Sequence, residues 1–199
     1  MDTKQFIGIV IVVLGFVSYL PYVRDTLNKK SQPHPYTYFV WVLINIITSA
    51  LQVSGGAGPG AYITISSTLF CFIIFILSLR NGKENITRFD SLLFSIAMTS
   101  AVIWATTDQP VLSLTLLLIA DTLAFGPTIR KTWIHPDQET LSTWILWGIR
   151  FALSIFAIEK YNFLTLSVPI VWIAILIPFN MMIVFRRKTL SLNSKINKI

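Results

Sequence analysis

Charge is scarce in this sequence. Asp, Glu, Lys and Arg make up only 13% of its 199 residues, about half of the ~25% usual in a soluble domain. A chain so poor in charge does not read as an ordinary water-soluble globule. Cysteine is scarcer still: Cys71 stands alone, which excludes an intrachain disulfide, and its place inside an apolar run suits a small packing residue. The two histidines, His34 and His135, lie far apart, so no cluster with metal-ligand spacing exists. No metal and no cofactor are expected. No apolar run holds paired histidines or a Ser–Lys dyad, and a single mid-run carboxylate is not a catalytic pair; the chain is not expected to be an enzyme. The first apolar run lacks the basic leader and small-residue cleavage site of a signal peptide and reads as a retained span. The last, over 163–185, contains no lysine, which closes a retinal Schiff base.

What is present is long apolar sequence. Hydrophobic residues make up 54% of the chain and the mean hydropathy is +0.67. Seven runs, each near the ~20 residues that cross a bilayer, cover 6–23, 37–53, 61–79, 91–107, 111–129, 141–158 and 163–185. The expected class is an all-α membrane protein of seven transmembrane helices. The net charge of +7 does not point to nucleic acid, because the basic residues cluster in the loops after runs one, three, five and seven. Retention of positive charge on the cytoplasmic side predicts the N-terminus outside and the C-terminus inside, in a multi-pass inner-membrane protein. Arg24 and Arg130 would form the inner rim, where they orient the chain, meet acidic lipid headgroups or latch a gate.

Sliding the chain on itself exposes a repeat. A shift of 106 positions lays Pro21 on Pro127, Arg24 on Arg130, Thr26 on Thr132, Gln32 on Gln138, Thr37 on Thr143, Trp41 on Trp147 and Arg80 on Arg186. The organisation read from this is a three-helix repeat over 1–80, an inner loop and linker helix over 81–109, a second three-helix repeat over 110–187 and a basic cytoplasmic tail over 188–199. Two three-span units in the same orientation need an odd number of connecting spans, and span four supplies it.

Ser18-Tyr19-Leu20-Pro21-Tyr22 with Arg24 and Thr26, echoed by Gly126-Pro127-Thr128 with Arg130 and Thr132, resembles the PQ-loop superfamily, which includes the SWEET sugar facilitators. Tyr22 and Thr128 stand at the glutamine position of that motif, and Trp41 and Trp147 where SWEETs carry prolines. The likeness covers essentially the whole chain at the level of architecture. It implies two parallel three-helix bundles joined by a linker helix, with a central substrate pocket between them and alternating access.

Two charges sit in the middle of apolar runs, where they are costly and mark functional sites by default. Asp121 lies nine residues before Arg130, about 13–14 Å along a helix, and Arg150 lies nine after Leu141, so both fall near the midplane. Their spans follow one another in the chain, within reach of an ion pair. They are read either as a substrate- or proton-binding carboxylate beside an anion-binding guanidinium, or as a structural pair locking span five to span six. The repeat has Gly15 and Ile44 at the matching positions, so the charged site is one-sided. Trp41, Asn45 and Thr48 share one face of span two, and Trp147, Arg150 and Ser154 one face of span six. Such polar stripes face protein or water rather than lipid, as pocket walls or as packing glue. Pro21 and Pro127 each remove a helical hydrogen bond and read as gate hinges or as helix ends that begin to unwind.

The expectation is a transporter or facilitator of a small polar solute. Its partners would be that solute and membrane lipids, with a homo-oligomer left open. The alternative is a seven-span sensor or receptor without retinal.

Overall fold

The computed structural model describes residues 2–28, 35–79, 88–134, 136–138 and 141–196. Among these every regular element is helical. In chain order they are α1 (Thr3–Leu27), α2 (Pro35–Ser54), α3 (Tyr62–Ser78), α4 (Arg88–Thr107), α5 (Pro110–Ile134), α6 (Leu141–Ala157) and α7 (Phe163–Ile196), with short 3₁₀ turns at Gly58–Ala61 and Pro136–Gln138. Three stretches are long and apolar enough to cross a membrane: Thr3–Arg24, Gly58–Ser78 and Phe163–Leu190. The apolar parts of the other four, Tyr38–Ser54, Phe94–Thr107, Pro110–Gly126 and Leu141–Ala157, are shorter.

Local sequence sets the ends. Pro35 and Pro110 open α2 and α5, where a missing N–H costs nothing. Helix α2 stops at a glycine: Gly56 has φ +80°, its N–H bonds Val53 O, and the next N–H, of Ala57, reaches back to Gln52 O. That is the left-handed closing turn for which glycine is favoured. Asn162 starts α7. Its side-chain oxygen accepts from Thr165 N–H at 3.2 Å, while Thr165 Oγ1 accepts from Asn162 N–H at 3.0 Å, a reciprocal cap that satisfies two orphan donors.

Several boundaries differ from the sequence expectation. Helix α1 runs on past Pro21 to Leu27, and α5 past position 127 to Ile134. Pro21 therefore lies inside a continuous helix rather than at its end, because an apolar run stops at its first charge while a helix does not. The side chains of Pro127 and Arg130 lie outside the described residues, as does the loop 80–87. The basic segment expected to be a separate tail continues α7 as far as Ile196.

Spatial order is not chain order. Helix α3 packs between α1 and α2, and α7 between α5 and α6. Helix α1 also lies along α6, and α2 along α5. With the 106-residue offset in mind, these contacts fall into matched kinds: α1–α3 with α5–α7, α2–α3 with α6–α7, and α1–α6 with α5–α2. Small details repeat too. Thr26 and its counterpart Thr132 are both fully buried, bonding Tyr22 O at 2.9 Å and Thr128 O at 2.7 Å. Helix α4 packs on α5 and is tied to it by Ser100 and Ser113, whose hydroxyls each donate to the other residue's carbonyl at 2.6 and 3.0 Å.

The polarity of the packed helices is inverted relative to a water-soluble bundle. Phe6, Ile9, Val13, Phe16, Val17 and Leu20 stand exposed along α1, and Ile170, Ile177, Met181 and Val184 along α7. Gln52, Ser66, Ser100, Ser113, Arg150 and Ser154 are buried. An apolar exterior with polar groups bonded inside is what a lipid environment demands.

Candidate functional site

A cavity lies where the two helix sets meet. About 20 Å3 of it admits the centre of a water-sized sphere. That is roughly the space of one or two waters. Helix α2 contributes Ile44, Asn45 and Thr48, and α5 contributes Leu117, Leu118 and Asp121. Thr64 and Ser67 of α3, Phe151 of α6, and Val168 and Trp172 of α7 complete the wall.

Asp121 is the one charged residue in this lining. Trp172 donates its indole N–H to Asp121 Oδ2 at 2.9 Å, and Phe151 stacks on Trp172 with centroids 5.8 Å apart and planes at 8°. The other carboxylate oxygen, Oδ1, has no hydrogen-bond partner among the described residues. Asn45 uses its amide N–H to bond Trp41 O at 2.8 Å, which leaves its Oδ1 free, and Thr48 Oγ1 makes no bond among them either. Neither of these oxygens, nor Asp121 Oδ1, is among the buried polar atoms sealed off without a partner. Three oxygen acceptors from α2 and α5 are thus borne by cavity-lining residues and left unused by the protein.

Arg150 turns away from this space. It is 1% exposed. Its Nε donates to Ile11 O of α1 at 3.0 Å and its Nη2 to Ser66 Oγ of α3 at 2.9 Å. The guanidinium carbon lies 5.9 Å from the Tyr19 ring centroid. No ion pair joins it to Asp121. The sequence placed the two residues on adjacent spans, but α7 separates α5 from α6 and leaves Arg150 facing α1. Gly15 makes that room: a Cβ there would lie 2.8 Å from Nη2 and 3.0 Å from Phe70 Cε2. By the repeat, Gly15 is the counterpart of Asp121, and Ile44 that of Arg150. One interhelix junction, α1–α6, is filled by an arginine. Its counterpart, α5–α2, holds the cavity.

Two sets of contacts join the helices next to the cavity. On the side of the α2–α3 and α6–α7 turns, Glu159 N–H bonds Ala57 O and Lys160 N–H bonds Gly56 O, both at 3.1 Å. Asn162 Nδ2 adds a bond to Gly55 O at 2.7 Å. Just below, Thr64 Oγ1 donates to Gln52 Oε1 at 2.7 Å. We refer to this joint as the turn clasp. Glycine is required in it, since a Cβ on Gly60 would come within 3.0 Å of Ile158 Cα and 2.6 Å of its Cγ1. On the opposite side stands a layer of rings. Trp172, Phe125, Trp144, Trp147, Tyr19 and Phe70 follow one another with centroids 4.4–5.5 Å apart. Tyr38 meets Trp41 at 5.2 Å.

Of the residues singled out by sequence, Asp121, Asn45 and Thr48 share the cavity wall. Trp41 and Trp147 lie one helical turn away, in the aromatic layer, and their indole N–H groups are buried without a partner, as is Asn180 Oδ1. Ser154 Oγ bonds Phe151 O at 2.7 Å and stays out of the lining. Arg24 is exposed in the last turn of α1. Sequence reasoning missed Trp172. Its depth gave a signal: it is nine residues into α7, as Asp121 is eleven into α5, from the same end of the packed helices, which puts the pair within about 3 Å of the same level.

Compared with known families, curated proteins and solved structures, the chain finds no match.

Proposed function

We propose that this protein is a seven-span membrane transporter or facilitator of a small polar solute, with its N-terminus outside and its C-terminus inside. The four helices with shorter apolar stretches complete the bundle begun by the three long ones, and the basic loops set the orientation. The two helix sets act as the moving bodies. The turn clasp closes the outer mouth, the aromatic layer closes the inner one, and alternating access exchanges which of them is shut. In this reading the chain resembles the PQ-loop and SWEET-like carriers in architecture.

The observation that carries this reading is the cavity itself. It lies among apolar helices, is lined by both helix sets and carries polar groups in its wall, as a solute site between two moving bodies should. A packing defect in lipid-embedded helices would be apolar. This one holds a carboxylate.

Purified protein in liposomes, screened for uptake of small polar solutes with and without a pH gradient, tests it. Saturable uptake that is lost in Asp121→Asn is expected, and any response to the pH gradient should vanish with that carboxyl. No uptake of any solute class by folded protein would overturn the proposal.

A further inference from the structure

Taking the cavity as the solute site of the preceding section, we propose that it recognises a primary ammonium group, as on a small alkylamine or the amino end of a larger solute. Three features converge on this chemistry.

The first is sign. The cavity's one ionisable lining residue is Asp121. The nearby positive charge, Arg150, is spent on Ile11 O and Ser66 Oγ and faces another junction. A carboxylate with no cation of its own in the wall attracts a cation and repels an anion. An anionic solute, which a guanidinium in the pocket would have favoured, meets no positive charge in this lining.

The second is donor count. Asp121 Oδ1, Asn45 Oδ1 and Thr48 Oγ1 have no donor among the described residues, while the Asn45 amide N–H is committed to Trp41 O. A primary ammonium carries three N–H donors and no acceptor. It fits a set of three oxygens, one of them charged. A quaternary ammonium has the charge without donors. A neutral hydroxyl has one donor and lacks the charge.

The third is size and wall. The space admits the centre of a water-sized sphere over about 20 Å3, which suits a head group rather than a whole sugar ring. Phe151, Leu117 and Val168 flank it with apolar surface, a fit for the alkyl carbon next to the nitrogen.

The test is a titration of the purified protein in nanodiscs, read by tryptophan fluorescence and by thermal shift. The probes are methylammonium, tetramethylammonium, methanol and acetate. Methylammonium should bind saturably and at least about tenfold more tightly than the other three, given what hydrogen bonds to charged groups contribute. Asp121→Asn should weaken it by about tenfold or more. Thr48→Val, a shape-preserving change that removes one acceptor, should weaken it by severalfold, and it supplies the test if the Asp121 variant does not fold. Equal responses to acetate or methanol would overturn the assignment, as would unchanged methylammonium affinity in both variants. The two proposals fail separately. If liposomes carry neutral or anionic solutes while methylammonium neither binds nor moves, ammonium recognition falls and transport stands. If methylammonium binds through Asp121 but nothing crosses the membrane, transport falls and the site stands.

Discussion

Replacing Arg150 with methionine distinguishes the arrangement seen here from the ion pair that the sequence allowed. The substitution keeps the length of an unbranched stem and removes the guanidinium. It forfeits the bonds to Ile11 O and Ser66 Oγ, each of order 1.5–3 kcal/mol for a charged donor. It also removes a buried ion that no carboxylate balances, whose desolvation costs several kcal/mol. Neither acceptor is orphaned. Ile11 O lies within α1 and keeps its helical partner, and Ser66 Oγ keeps its bond to Tyr62 O at 2.6 Å. Loss and gain nearly offset, so Arg150→Met should lie within about 2 kcal/mol of wild type. Had Arg150 neutralised Asp121, the same change would strand a buried carboxylate and cost about 3–5 kcal/mol, and Asp121→Asn would then rescue it. The assay is a double-mutant cycle over these two positions, by equilibrium unfolding in mixed micelles. A coupling energy below about 0.5 kcal/mol is expected. A coupling above about 1.5 kcal/mol, of the size found for residues within one network, would refute the reasoning.

Gly15→Ala should destabilise by about 1–3 kcal/mol through overpacking, and by less in an Arg150→Met background, since the guanidinium makes the closest contact and Phe70 the remaining one; the same unfolding assay reads both. Gly60→Ala should spread the turn clasp, because the added carbon meets Ile158 backbone. In a Cys71→Ser background, Thr48→Cys should then react with a water-soluble thiol reagent about tenfold faster or more, a change equivalent to about 1.4 kcal/mol of lost closure. Ser100→Ala and Ser113→Ala should each cost only about 0.6 kcal/mol, the mean for hydrogen bonds between membrane helices.

The existence and order of the helices were legible in the sequence because long apolar runs can do little else. Their ends were less so. Pro21 and the charge at Arg24 suggest a stop, yet α1 continues to Leu27, since a proline near one end removes a single bond and leaves the following turn intact. The cavity was half legible. Asp121 announced itself by its cost in an apolar run, and Asn45 and Thr48 by their spacing on one face of α2. Arg150 announced itself equally, but whether it meets Asp121 stayed open, because sequence gives the depth of a residue and the face it occupies but not which helix lies opposite. Only the insertion of α7 between α5 and α6 decides that. Trp172 was passed over because an aromatic residue in an apolar span has nothing in sequence to distinguish a hydrogen-bonding indole from a packing one. Tyr19 was quoted for its place in a motif, with no sign that it would lie against a guanidinium.

The filled and unfilled junctions have a mechanical consequence. Separating α6 from α1 and α3 means drawing a guanidinium off the carbonyl and hydroxyl that hold it. Separating α2 from α5 means only enlarging a space that is already there. Resistance to opening is therefore unequal across a scaffold whose contacts otherwise come in pairs. Relative motion of the two helix sets should turn about the Arg150 side as a door turns on its hinge line, with its free edge at Asp121.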